Sequence, residues 1–201
     1  MRPEEIKNKI IELLGSTERK GIDRVIKFLE SSDFFEAPAS TRYHGNYKGG
    51  LAEHSLNVYE IFKKKNIEYD FGLSDDTVKI TALLHDICKA NFYTVSTRNV
   101  KKNGSWIKVP YYAVDDQVPF GHGEKSVIML QQFIKLSREE VIIIRWHMGG
   151  YEPSQNYNSI SKAWNICKAG VALHTADLES SYILETHFEP GESTKQMSFK
   201  A

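Results

Sequence analysis

Residues 81–90 read TALLHDICKA, and they place a histidine and an aspartate side by side within an otherwise apolar helical run. The pattern over Asp75–Ala90 predicts one helix, with acids in its first turn as the helix dipole prefers. His85 and Asp86 then lie among Leu83, Leu84 and Ile87. A carboxylate buried there without a partner costs several kcal/mol. A shared divalent cation would remove that cost, since imidazole and carboxylate both suit Mn, Fe, Zn, Ni or Co. An exposed pair, or a bridge from the aspartate to an arginine, is the plainer reading of the same two residues.

The same conflict recurs on two other segments. In Gly49–Val58, GGLAEHSLNV, His54 follows Leu51 by three residues and precedes Val58 by four. It therefore shares the buried stripe of a helix predicted over Leu51–Lys65, with Leu51, Val58 and Ile61/Phe62. A neutral core histidine with one hydrogen bond would satisfy that position equally. In Gly170–Leu184, GVALHTADLESSYIL, Asp177 stands three residues after His174 and four after Leu173. The small residues of that helix allow close approach to neighbours, which points the carboxylate inward. Three buried ionisable groups on three helices converge on one hypothesis, a metal held between helices.

Around these segments the chain reads as mainly α. Helices are predicted over Pro3–Leu14, Glu18–Glu30, Glu124–Lys135, Arg138–His147 and Lys162–Glu185. Phe92–Val100 and Ser105–Val114 are β-branched and aromatic, and Asn103-Gly104 between them signals a hairpin. The expected organisation is a pair of N-terminal helices (1–30) packing on a helical domain (31–188). That domain carries a β-hairpin insertion at about 92–114, and a flexible polar tail follows at 189–201.

The 201 residues hold 26 basic and 26 acidic side chains, so the formal charge is zero. With 41% hydrophobic and 26% charged residues this is an ordinary globular composition. Broad neutralisation of a nucleic-acid duplex is disfavoured, whereas a small phosphate ester in a locally positive pocket is compatible. Cys88 and Cys167 form no metal-binding or disulfide spacing, so a reducing cytoplasm is expected. The N-terminal MRPEEIKNKIIELL is amphipathic and acidic, unlike a signal peptide. No run approaches the roughly 18–20 apolar residues of a membrane span.

The order His54, then His85-Asp86, then Asp177, each in its own helical context, resembles the HD-domain superfamily of metal-dependent phosphohydrolases. The wording GGLAEHSLNV, ALLHDICKA and HTADLES carries the resemblance, which covers about residues 31–185. The first block is also similar to HD exoribonucleases that trim RNA from its 3′ end. The resemblance implies an HD-like helical bundle with a first metal on His54, His85, Asp86 and Asp177. Two more histidines fit a subset of the superfamily: His122 in FGHGEKS and His147 at the end of EEVIIIRWH. They would hold a second ion, with Asp86 bridging the two. One or two divalent ions (Mn, Fe, Zn, Ni, Co or Mg) are thus implied. A turn histidine and a helix C-terminal cation are the plainer readings of His122 and His147.

By the same resemblance Asp86 and Lys89 are the catalytic candidates, with Lys89, Arg42 and His44 meeting substrate. The implied activity is hydrolysis of a phosphoester in a nucleotide-like substrate by a metal-activated water. A small phosphate ester, a nucleotide or an RNA 3′ end would be bound, and neither duplex nucleic acid nor membrane. A catalytically silent HD module that binds a nucleotide or partner is the alternative. The chain departs from HD proteins that cleave cyclic di-guanylate, because Met148-Gly149-Gly150-Tyr151-Glu152-Pro153 after His147 lacks their paired histidine and Gly-Tyr-Pro signature. It contains no GxxxxGK[ST], GxSxG or HExxH motif.

Overall fold

The computed structural model describes residues 1–186, and the tail expected at 189–201 lies outside them. Its elements are α1 (Pro3–Gly15), α2 (Ile22–Ser31), α3 (Gly50–Glu68), α4 (Asp75–Leu84), β1 (Tyr93–Lys102), β2 (Ser105–Val114), α5 (His122–Gln131), α6 (Arg138–Arg145), α7 (Tyr157–Ile166) and α8 (Ala169–Glu179). The fold is mainly α, a helical bundle with one β-hairpin. No helix among the described residues is long and apolar enough to cross a membrane.

The central helix is α3, which packs against α1, α4 and α8, while α6 closes the bundle against α4, α5 and α8. Each helix contributes an apolar stripe to one continuous core. Ile6, Ile10, Leu13 and Leu14 of α1 join Leu51, Val58 and Phe62 of α3, and Leu83 and Leu84 of α4. Caps fix where the helices begin. Ser74 accepts a hydrogen bond from the Thr77 amide at the start of α4, and Ser137 and Glu140 form a reciprocal capping box at the start of α6.

Three helix boundaries depart from the periodicity, and two of them position the site. The helix expected through Ala90 ends at Leu84; Asp86 leaves helical geometry at φ −105° and ψ 19°, and Ile87–Lys89 continue as a single 3-10 turn. The helix expected over Lys162–Glu185 is divided at Cys167 (φ −133°, ψ 92°), and a π turn over Ser180–Leu184 follows α8. The third is the second helix, which begins at Ile22 behind Gly21 (φ 93°) rather than at Glu18.

β1 and β2 pair antiparallel from Tyr93↔Val114 to Lys102↔Ser105. Asn103 and Gly104 turn the chain with φ of 51° and 83°, as a two-residue primed turn requires. The hairpin makes no extensive contact with any helix; its root is held by the Tyr93 hydroxyl, which donates to the Ala39 carbonyl, and Val109 and Tyr112 are buried. The loop before α3 folds back tightly: a Cβ on Gly50 would fall 2.0 Å from the Gly45 carbonyl oxygen. Only glycine permits that approach, and it brings His44 to the mouth of the site described next.

Candidate metal centre

Four segments deliver ionisable side chains to one buried point. α3 brings His54, the end of α4 brings His85 and Asp86, the turn after α6 brings His147, and α8 brings Asp177. The break after Leu84 matters here, because it turns the Asp86 carboxylate among the three rings. His85 Nε2 lies 3.6 Å from Asp86 Oδ2, and His147 Nε2 lies 3.5 Å from Asp86 Oδ1. His54 Nε2 is 3.3 Å from Asp177 Oδ1 and 3.8 Å from Asp86 Oδ2.

The orientation of the rings is set from behind. His85 Nδ1 donates to the Ala82 carbonyl at 2.8 Å, and His147 Nδ1 donates to the Ile144 carbonyl at 2.7 Å. A carbonyl only accepts, so each Nδ1 carries a proton and each ring turns its Nε2 toward Asp86. His54 Nδ1 is held by Glu185 at 3.0 Å. One layer further out, His174 Nδ1 donates to the His147 carbonyl at 2.7 Å, and its ring packs on Gly149 (φ 50°), where a Cβ would fall 2.6 Å away.

Nε2 of His54, His85 and His147 and Oδ1 of Asp86 are all buried without a hydrogen-bond partner. Buried polar atoms are rarely left so, and four orphans facing one point fit a cation. The electrostatics agree. Burial pushes the His85 imidazole down to about 4, keeping it neutral. Burial also opposes charge on His54, but Glu185 and Asp177 outweigh it and raise that group to about 10. A proton on His54 thus does, in the metal-free cluster, part of what a cation would do. Burial likewise opposes ionisation of Asp86, yet Lys89 and His85 hold its carboxyl well below the usual range.

Ligand atoms lie within 4.8 Å of one another in the trios His54–His85–Asp86, His85–His147–Asp177, Asp86–Cys88–His122 and His44–His54–Glu185. Each trio could hold a metal ion. His122, the first residue of α5, thus reaches the cluster through Asp86, and its Nδ1 sits 3.3 Å from the Cys88 sulfur. Among the described residues His147 groups with His85 and Asp177, and no trio joins it to His122.

Lys89 Nζ pairs with Asp86 Oδ2 at 2.6 Å. On an unbroken α-helix Lys89 would lie one turn from His85; the 3-10 turn instead carries it back onto Asp86. His44 stacks on His54 with ring centroids 4.9 Å apart. Arg42 is exposed and is not among the residues that line the cavity in front of the cluster. That cavity has a volume of about 560 Å³, and His44, Asp86, Lys89, His122 and Asp177 form its polar wall. Tyr43, Tyr93, Tyr151 and Tyr182 form its aromatic rim, and the Tyr151 and Tyr182 hydroxyls meet at 3.1 Å.

Two features had no signature in the sequence. Glu185 accepts from Asn57 and Ser180 as well as meeting His54, but it follows a π turn whose register no helical periodicity reveals. The tyrosine rim joins residues from four segments distant in the chain. Trp146 and Trp164 do not line the cavity; they pack against Arg145 and His174.

A protein-family model described as HD domain matches residues 51–189. The chain belongs to the HD domain family. Among curated proteins it is 34% identical, over 97 residues, to a dihydroneopterin 2′,3′-cyclic phosphate phosphodiesterase of Methanocaldococcus jannaschii, covering 46% of this chain and 38% of that one. It is 26% identical over 133 residues to a ribonuclease Y of Mycoplasmoides gallisepticum, covering 65% of this chain and 20% of that one. It is 29% identical over 92 residues to a 3′-5′ exoribonuclease YhaM of Geobacillus sp., covering 44% of this chain and 28% of that one. The chain thus matches well under half the length of each of these relatives. No solved structure matches it significantly.

Proposed function

We propose that this HD domain hydrolyses a phosphodiester in a nucleotide-like molecule at a divalent metal centre. His54, His85, Asp86, His147 and Asp177 would hold the metal, and Asp86 would extend the centre toward a second ion at His122. The carrying observation is the set of four buried, unpartnered ligand atoms facing one point. The relatives support the choice of bond, because a 2′,3′-cyclic phosphate and an RNA linkage are both phosphodiesters.

A bound divalent ion supplies Lewis acidity, polarising phosphoryl oxygens and making water a competent nucleophile near neutral pH. The chain's own groups do the rest. The Ala82 and Ile144 carbonyls hold His85 and His147 in the one tautomer that leaves Nε2 free. Lys89 keeps its positive charge, because the Asp86 carboxylate outweighs burial. From its place in the cavity wall it contributes a fixed ammonium to a substrate phosphate. His44, pushed down to about 4 by burial, stays neutral in the cavity wall, where its ring would border the substrate. The tyrosine rim supports a nucleotide over a bare phosphate, since planar rings beside a phosphate subsite suit a heterocyclic base.

The test pairs metal analysis of the purified protein with hydrolysis of bis(p-nitrophenyl) phosphate and a 2′,3′-cyclic nucleotide, with Mn added. Stoichiometric metal and turnover of diesters ahead of p-nitrophenyl phosphate are expected. Bound metal with no turnover of any ester would assign the domain to binding alone, and faster monoester cleavage would overturn the choice of bond.

A further inference from the structure

The formal charge of zero conceals one segment of a single sign. The 22 residues Tyr93–Val114 contain Arg98, Lys101, Lys102 and Lys108 and neither aspartate nor glutamate, leaving 22 basic against 26 acidic residues elsewhere. Lys101, Lys102 and Lys108 are exposed, and none forms an ion pair among the described residues. Arg98, by contrast, is engaged over the Tyr111 ring. The proximal half of the hairpin is tied down, with Val109 and Tyr112 buried and the Tyr93 hydroxyl donating to the Ala39 carbonyl, whereas Lys101, Lys102 and Lys108 toward its tip are open to solvent.

Register places two of these cations on one face with an aromatic ring. Trp106 is the cross-strand partner of Lys101, and Lys108 is the partner of Asn99, two residues along, so Lys101, Trp106 and Lys108 share one face near the tip, while Lys102, the partner of Ser105, lies on the other. Trp106 is 70% exposed, a large ring with nothing packed over it. Cations interleaved with an unpacked aromatic match the way proteins hold unpaired bases and their phosphates. The root of the same face is Tyr93 and Val114, which line the cavity beside Asp86, and Tyr112 next to the root is buried, so the open part of the face is the distal half of the hairpin. From Tyr93 to Lys101 the strand rises roughly 26 Å at about 3.3 Å per residue.

We propose that the tip of the β1–β2 hairpin is a binding arm for a single-stranded polynucleotide, with Lys101 and Lys108 on its phosphates and Trp106 under a base. A single strand fits better than a duplex, because stacking on Trp106 needs an unpaired base. The binding does not rest on the phosphodiester reading given above; only the delivery of the strand to the cavity would.

Fluorescence anisotropy with a labelled phosphorothioate oligoadenylate of about twelve nucleotides tests the arm without requiring turnover. The wild-type protein is expected to bind, with a log–log salt dependence of about −0.7 for each phosphate contacted. Lys101→Glu/Lys108→Glu should weaken binding at least tenfold and flatten that slope, and Lys102→Glu on the other face should weaken it less. Trp106→Ala should weaken it about fivefold or more. Circular dichroism melts should stay unchanged in all of them, since all four residues are exposed. Equal binding by the charge-reversed protein, or no binding by the wild type, would overturn the proposal. Binding to vesicles of phosphatidylserine and phosphatidylcholine without binding to the oligonucleotide would overturn it too, and assign the arm to anionic lipid. Oligonucleotide binding through the arm in a protein that hydrolyses no diester would support the arm and contradict the function proposed above.

Discussion

Two buried carboxylates in this bundle are treated in opposite ways. Glu140, with a fully buried side chain, receives four donors: Arg19 Nη1 at 2.9 Å, Arg19 Nη2 at 2.6 Å, the Ser137 amide at 2.8 Å and Thr77 Oγ1 at 3.0 Å. Both of its oxygens are satisfied. Asp86 is as deeply buried, yet one oxygen meets Lys89 and the other meets nothing at hydrogen-bond distance. Around it stand three imidazoles whose outer nitrogens are tied down and whose inner nitrogens are bare. Where every donor and acceptor is matched, the network holds helices together. Where the unmatched atoms converge, the chain is organised to bind something it does not itself contain.

This contrast can be broken at several points. The largest effect is expected from Asp86→Asn, which removes the shared ligand of two trios. Turnover should fall by about a thousandfold or more and bound metal should be lost with it, as measured by diester hydrolysis and elemental analysis. Retention of both would break the contrast outright. Glu140→Gln should do the reverse: it should cost about 3 kcal/mol in denaturant unfolding, near the low end for a broken buried pair because Arg19 can rehydrate. Metal content per folded molecule should not change.

Glu185→Gln probes the layer behind the ligands. Its carboxylate orients His54 from the Nδ1 side, and loss of such a partner typically lowers metal affinity about 10–100-fold. Isothermal titration with Mn reads this directly. An unchanged affinity would mean that the Ala82 and Ile144 carbonyls alone set the site.

The smallest effect is a pH dependence confined to the satisfied network. Burial opposes ionisation of Glu140, but the Arg19 hydrogen bonds outweigh it and lower the group below its usual 4.5. Because the folded value lies below the unfolded one, the stabilisation is present above pH 4.5 and is lost as pH falls through the folded value. The stability gap between wild type and Glu140→Gln should therefore narrow on acidification. A gap that widened would contradict this assignment of the pair.

Much of the fold was legible because local pattern and tertiary structure agree. The stripe Ile6, Ile10, Leu13, Leu14 predicts the buried face of α1, and Asn103-Gly104 predicts the turn with φ positive at both residues. Agreement failed where the site itself overrides periodicity. TALLHDICKA is a good helix on paper, but the chain unwinds after His85 so that Asp86 faces the rings and Lys89 faces Asp86. Cys167 interrupts what reads as one long helix, and α8 starts from a new angle. Glu185 lies beyond both irregularities, which is why no spacing rule could have linked it to His54, 131 residues earlier. The neutral overall charge was equally uninformative about the hairpin, since a sum over the chain cannot show where charges of one sign gather.

The most direct test of the metal centre is an anomalous difference map at the zinc edge from a crystal soaked in zinc. A peak is expected about 2.1 Å from ligand atoms drawn from Nε2 of His54, His85 and His147 and the carboxylate oxygens of Asp86 and Asp177, with none at Glu140. A map without density among these atoms at saturating zinc, or with zinc bound only elsewhere, would contradict a metal centre there.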